Sequence, residues 1–234
     1  MKSNDITISV EHHRGITHQA PSDKNIAENN LHEDIRLGEI LLSKRANANT
    51  QNASQSTDSI TQLRTKIDPQ HTYIVQFDGG SRGNPGVSGA GALILDAERN
   101  IIWSTHLFVG NVVTNNEAEY MGAIAGLEAA KQLGIQQVIL QGDSSLIIRQ
   151  VMGVYKVKSS TLRPLHHEAL KLANQFHNFT AEHIPRNLNA IADGLSNKAM
   201  DSRSKESLDD VLQQSSVIRH LLERYSCDIK TVQF

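Results

Sequence analysis

The sequence is poor in the residues that usually mark a specialised environment. It holds one cysteine, Cys227, which excludes a disulfide framework within the chain and fits a reducing compartment. No nucleophile context surrounds that thiol, and it reads as structurally idle. Aromatic residues amount to only 4% of the 234 positions, so any core must be mainly aliphatic. Apolar runs such as Ile94-Leu95 and Val138–Leu140 fall far short of a bilayer span. The opening residues MKSNDITISVEHHRG carry acids and no apolar h-region, which argues against a secretory leader or a transit peptide. Together these features predict a soluble, cytoplasmic protein, with the nucleus left open. Charge of one sign is also lacking: the formal net charge is −2, without the global basic footprint of a DNA-coating protein. Residues 72–200 nevertheless hold ten Lys/Arg against ten Asp/Glu, and neutralising four of those acids with bound cations would leave a surplus of four positive charges. Near-neutrality is therefore compatible with a nucleic-acid substrate.

What is present divides the chain in three. Residues 1–70 read as a mostly disordered extension, because RANANTQNASQSTDS (Arg45–Ser59) has too few apolar residues to offset the entropy of ordering. Within it only DIRLGEILLSKR (Asp34–Arg45) has helical spacing, as a short docking helix or a transient turn. Residues 71–201 carry the periodic signals of a folded domain. TYIVQFD alternates Tyr73, Val75 and Phe77 against Ile74, Gln76 and Asp78, a strand ending at the aspartate and followed by a glycine-rich turn. GAGALIL and IIWSTHLFVG predict two more strands of a meander. NNEAEYMGAIAGLEAAKQLG predicts a long helix capped by Asn115 or Asn116 and closed by Gly134. QQVILQGD is a buried-type strand, SSLIIRQVMG a short helix capped by Ser144, LRPLHHEALKLANQF a helix, FTAEHIP a strand and NLNAIADGLSNKAM a helix. The order β-β-β-α-β-α-α-β-α predicts an α/β fold with a five-stranded mixed sheet flanked by helices. Residues 202–234 form a C-terminal extension in which Ser207–Tyr225 reads as one further helix, packed on the domain or on a partner protein.

Four carboxylates stand where strands and helices meet. Asp78 and Asp143 each close a strand; if those strands are parallel neighbours, the two acids meet at the sheet's C-terminal edge, where open α/β sheets place ligands. Glu119 lies in the first turns of the long helix, and Asp193 sits inside the last one between Ala192 and Gly194. Such an arrangement implies either repulsion or a shared cation. Oxygen donors without Cys or His suit Mg²⁺, with Mn²⁺ as a substitute, rather than zinc.

The segments FDGGSRGNPGVSGAGALI, TNNEAEYMGAIAGLEAA, LQGDSSLIIRQV and IPRNLNAIADGLSNKA, in this order and spacing, together resemble type 1 ribonuclease H. The resemblance implies the ribonuclease-H-like fold and hydrolysis of the RNA strand of RNA–DNA hybrids, with Asp78, Glu119, Asp143 and Asp193 as catalytic residues binding two Mg²⁺ ions. Products with 5′-phosphate and 3′-hydroxyl ends are expected from that chemistry. It further implies substrate contacts at Gly79, Asn84, Thr114, Asn115, Asn116 and Ser144, with the asparagines reading the 2′-hydroxyl and base edges of the minor groove. Glu117, two residues before Glu119, points elsewhere and reads as a surface charge near the helix N-terminus. The sequence lacks the glycine-rich histidine loop and the basic, Trp-rich protrusion of many members, and so resembles the compact variants with a proline–arginine pair. Arg186 is then expected to contact phosphate or assist product release, while His183 reads as a strand histidine. Only Lys156, Lys158 and Arg163 remain near the missing protrusion, which implies weak, salt-sensitive hybrid binding. A monomer is expected, with the C-terminal helix as the candidate protein contact.

Three alternatives are weaker. A catalytically silent binding domain on the same fold does not account for all four acids being present. Proofreading exonucleases carry Asp-x-Glu on the first strand, where this chain has Asp78-Gly79-Gly80. A phosphate-binding loop would feed a helix and carry a lysine, and neither applies to the turn after Asp78.

Overall fold

The computed structural model describes residues 60–203, 212 and 215–226. The segment Asp34–Arg45 lies outside the described residues. β1 (Thr72–Gly83), β2 (Gly86–Leu95) and β3 (Ile101–Val113) form the antiparallel meander, followed by α1 (Asn115–Gln132), β4 (Gln137–Gly142), α2 (Ser145–Val151), α3 (Leu162–Ala173), β5 (Asn178–His183) and α4 (Ala190–Ser202), with α5 (Ser216–Ser226) at the end. The five strands lie in the order β3-β2-β1-β4-β5, with β1–β4 and β4–β5 parallel. The architecture is the mixed sheet and element order expected from periodicity.

One boundary differs in an instructive way. The glycine-rich stretch after Asp78 is strand rather than turn: Gly79, Gly80 and Ser81 pair with Ala90, Gly89 and Ser88 of β2, and the chain reverses only at Asn84-Pro85. Glycine weakens strand propensity, but here the paired ladder overrides it.

α1 is buried nearly all round, because the sheet lies on one side and α3 on the other. Val75, Phe77, Tyr120, Ile124, Leu127, Leu140 and Leu165 are at the centre of the main core. The helix ends as predicted, with Gly134 at φ +82° and the Ile135 N–H donating to the Ala130 carbonyl at 3.0 Å. Tyr120, fully buried, donates from its hydroxyl to Gln150 Oε1 at 2.8 Å and so joins α1 to α2.

Two further differences lie at the ends of the folded part. Residues 60–70, expected within the disordered extension, are ordered in part against the core: Ile60 is buried in it, and Arg64 Nε donates to the Gln132 carbonyl at 2.7 Å. The C-terminal stretch is not one helix through Tyr225. Ser215 stands outside helical geometry and its hydroxyl accepts from the Ile218 N–H at 3.2 Å, starting α5 afresh. Leu212, Ile218, Leu221 and Tyr225 are buried in the main core, with α5 against β3, so this helix packs on its own domain. Among the described residues no helix is long and apolar enough to cross a membrane.

Candidate metal centre and nucleic-acid cleft

The sheet register brings the first two acids level. Gln76 of β1 pairs with Gln141 of β4; two residues further along stand Asp78, within β1, and Asp143, just past the end of β4. Glu119 reaches the same point from the second turn of α1, which lies so close to β1 that a Cβ on Gly79 would be 2.0 Å from the Glu119 nitrogen. Only glycine at position 79 allows that approach. The Gly79 N–H in turn bonds the Glu119 carboxylate. One carboxylate oxygen from each of Asp78, Glu119 and Asp143 lies within 4.8 Å of the others.

Two of these carboxylates are scarcely hydrated, Asp78 and Glu119 each being 6% exposed, while Asp143 is half-buried. Burial, foremost, pushes the Asp78 carboxyl up to about 6; a hydrogen bond from Ser196 opposes this, while Asp143 and Asp193 add to it. Burial also raises Glu119 well above the usual carboxylate range, reinforced by Asp78 and Asp143. Glu119 Oε2 is buried without a hydrogen-bond partner. A carboxylate with a buried, unpartnered oxygen, set beside two other acids, fits a bound cation better than any internal bond. The donor set is all oxygen, which suits a hard divalent ion.

Asp193 stands apart from the three. It lines the same cleft of about 260 Å³, but its carboxylate is engaged by the Arg186 guanidinium and by Asn197 Nδ2, the latter at 3.0 Å. Of the contacts inferred from resemblance, Gly79, Asn115 and Arg186 line this cleft, whereas Asn84, Thr114, Asn116 and Ser144 stand outside its lining. Asn84 is tied to the cleft all the same, since its Oδ1 accepts from the Asn115 N–H at 3.1 Å. Ser144 occupies the N-cap position of α2 without a side-chain capping bond. His183 ends β5, its Nε2 3.2 Å from the Asp143 carbonyl. Arg82 faces the end of α4, where it pairs with Asp201 at 2.6 Å.

The cap of α1 is Thr114, not an asparagine. Its N–H and hydroxyl donate to Glu117 Oε2 at 2.9 and 2.7 Å, and the Glu117 N–H donates back to Thr114 Oγ1 at 3.4 Å. Glu117 is consequently a buried capping partner, 8% exposed, and not a surface charge. The capping box leaves the side chains of Asn115 and Asn116 without a capping task.

Two site residues escaped the reading of the sequence. Asn189, fully buried, donates from Nδ2 to the Phe77 carbonyl at 2.8 Å and to Asp143 Oδ1 at 2.9 Å. Ser196 shares its hydroxyl proton between Asp78 Oδ2 and the Asp193 carbonyl. The signal was helical spacing: Asn189, Asp193 and Ser196 recur at intervals of four and three, which sets them on one face of α4.

A family model described as "Reverse transcriptase-like" matches residues 76–199, more than half of the chain and all four acids. The chain belongs to this reverse transcriptase-like family. Its similarity to type 1 ribonuclease H is equally direct. The chain is 39% identical over 137 residues to the bifunctional protein Rv2228c of Mycobacterium tuberculosis, covering 58% of this chain and 38% of the relative. The crystal structure of RNase H1 from the halophilic archaeon Halobacterium salinarum has 35% identity and a TM-score of 0.54, over 56% of this chain and 98% of that one. LC11-RNase H1, solved in complex with RNA/DNA hybrid, has 38% identity and a TM-score of 0.53, over 56% and 98% of the two chains. The chain spans only 38% of the length of the mycobacterial relatives, so the shared part is the reverse transcriptase-like domain alone. The ribonuclease-H-like fold is common to all of these.

Proposed function

We propose that the protein is a divalent-metal-dependent endonuclease that hydrolyses the RNA strand of RNA–DNA hybrids, leaving 5′-phosphate and 3′-hydroxyl ends. The observation that carries this reading is the trio Asp78, Glu119 and Asp143, with a buried carboxylate oxygen of Glu119 that lacks a partner. Similarity to an RNase H1 solved with RNA/DNA hybrid supports the substrate.

Asp78, Glu119 and Asp143 would hold Mg²⁺ or Mn²⁺, with Asp193 as the fourth acid beside a second ion. Bound there, such ions supply Lewis-acid polarisation of the scissile phosphate and a nucleophilic water at neutral pH. The chain's own contribution is placement. β1 and β4 hold two carboxylates in register, the α1–β1 contact holds the third, and Asn189 fixes Asp143 by clamping it to the β1 backbone. The open cleft beside them presents Asn115 and, through its Oδ1 contact, Asn84; these short amides suit a 2′-hydroxyl that distinguishes RNA from DNA. Arg186, exposed at the cleft's rim, suits a phosphate.

The test is to present strand-labelled RNA–DNA hybrid, double-stranded RNA and double-stranded DNA, each with Mg²⁺ or with EDTA. Cleavage confined to the RNA strand of the hybrid, and abolished by EDTA, is expected. Equal cleavage of all three duplexes, or cleavage in EDTA, refutes the proposal.

A further inference from the structure

The four acids of the cleft are not equivalent. Asp78, Glu119 and Asp143 form the close group, with an unpartnered buried oxygen among them, whereas Asp193 already has a cation. The Arg186 guanidinium pairs with Asp193 Oδ1, and Asn197 donates to Oδ2. Its positive charge also reaches Asp78 and Glu119, in both of which it works against the upward shift. Arg186 therefore does at Asp193 what a bound cation would do, relieving repulsion among carboxylates in a shared cleft.

The pair is built to be replaced. Arg186 sits on a short 3-10 turn, Arg186–Leu188, and its side chain is 76% exposed against 25% for Asp193. An exposed guanidinium on a long stem can swing into water at little cost, unlike a buried pair whose rupture strands a charge. The close trio, by contrast, has no side-chain cation in direct contact among the described residues.

We propose that Arg186 is a resident counter-ion that competes with a divalent cation for Asp193, so that the cleft takes one ion readily and a second only as Arg186 is displaced. This rests on the reading of the cleft as a divalent-metal centre.

The test is calorimetric titration of Mn²⁺ into the metal-free protein and into Arg186→Gln, Asp193→Asn and the double variant, with thermal unfolding to confirm that each is folded. The wild type is expected to bind a first ion more tightly than a second. Arg186→Gln is expected to tighten the second by about two- to fivefold, the scale of an exposed ion pair. In the Asp193→Asn background that gain should vanish. If Arg186→Gln tightens binding equally with and without Asp193, a general charge effect is at work and the proposal fails. It fails also if Arg186→Gln neither tightens nor reveals a second ion while the first still binds, which leaves the metal centre itself standing. Absence of any Mn²⁺ binding to the wild type overturns the metal centre and this proposal together.

Discussion

Gly79 and Glu119 are in backbone contact: a methyl group on the glycine would fall 2.0 Å from the Glu119 nitrogen and 2.1 Å from the Ala118 carbonyl carbon. The clash is with backbone, so no side-chain rotation relieves it, and α1 must lift away from β1. Gly79→Ala is expected to lose about 3 kcal/mol of stability, the upper range for overpacking, and to displace Glu119 from Asp78. Urea unfolding checks the first expectation and loss of Mn²⁺ binding the second.

Asp78 gives a pH dependence of defined sign. Its carboxyl is raised from 3.8 to about 6 in the fold, so the neutral form is the one the fold favours. This contribution to the metal-free protein's stability is fully present below about pH 4 and is lost as pH rises through about 6, by up to about 3 kcal/mol. Asp78→Asn should accordingly be more stable than the wild type at pH 8 without metal, and nearly equal to it at pH 4. Thermal unfolding in EDTA across that range decides it. Mg²⁺ at pH 8 should raise the melting temperature of the wild type and do so far less for the variant.

Asn189 binds a strand carbonyl and a carboxylate at once, from a fully buried position. Asn189→Ala leaves both acceptors short of a donor and should cost about 1–3 kcal/mol. Asn189→Asp, similar in shape, should be worse for metal-free stability at neutral pH, because it sets another acid against Asp143. Comparing the two variants by chemical denaturation at pH 7 separates lost hydrogen bonds from added repulsion.

Thr114 and Asn115 are neighbours with different tasks. Thr114→Ala removes the capping box and should cost about 1 kcal/mol of stability, with the cleavage rate at saturating substrate little changed. Asn115→Ala should leave stability nearly unchanged and weaken hybrid binding. Denaturation midpoints and hybrid affinities of the two variants would show opposite profiles.

The fold was legible where periodicity was strong. Alternation at Tyr73, Val75 and Phe77 marked β1, and Gly134 marked the end of α1, because in each case local preference and tertiary burial agree. It was less legible where they conflict: glycines 79 and 80 read as a turn, yet helix approach and ladder pairing keep them in β1. Thr114, Asn115 and Asn116 are all good caps, and the choice fell to Thr114 because Glu117 stands three residues on to close the box. The acids at positions 78, 119 and 143 could be placed from strand ends and a helix start. The supporting bonds of Asn189 and Ser196 became visible only with α4 laid across the sheet, since their partners are 112 and 118 residues away in sequence.

The most direct test of the metal-dependent cleft is single-turnover cleavage of an RNA-labelled hybrid by the wild type and by Glu119→Gln in Mg²⁺. Gln keeps the shape, removes a buried charge and is expected to leave the metal-free protein at least as stable, so a loss of activity reports the site and not the fold. A rate lower by about a hundred- to a thousandfold, the scale of removing an electrostatic partner of the transition state, is the predicted result. Cleavage by Glu119→Gln within tenfold of the wild type would contradict the account.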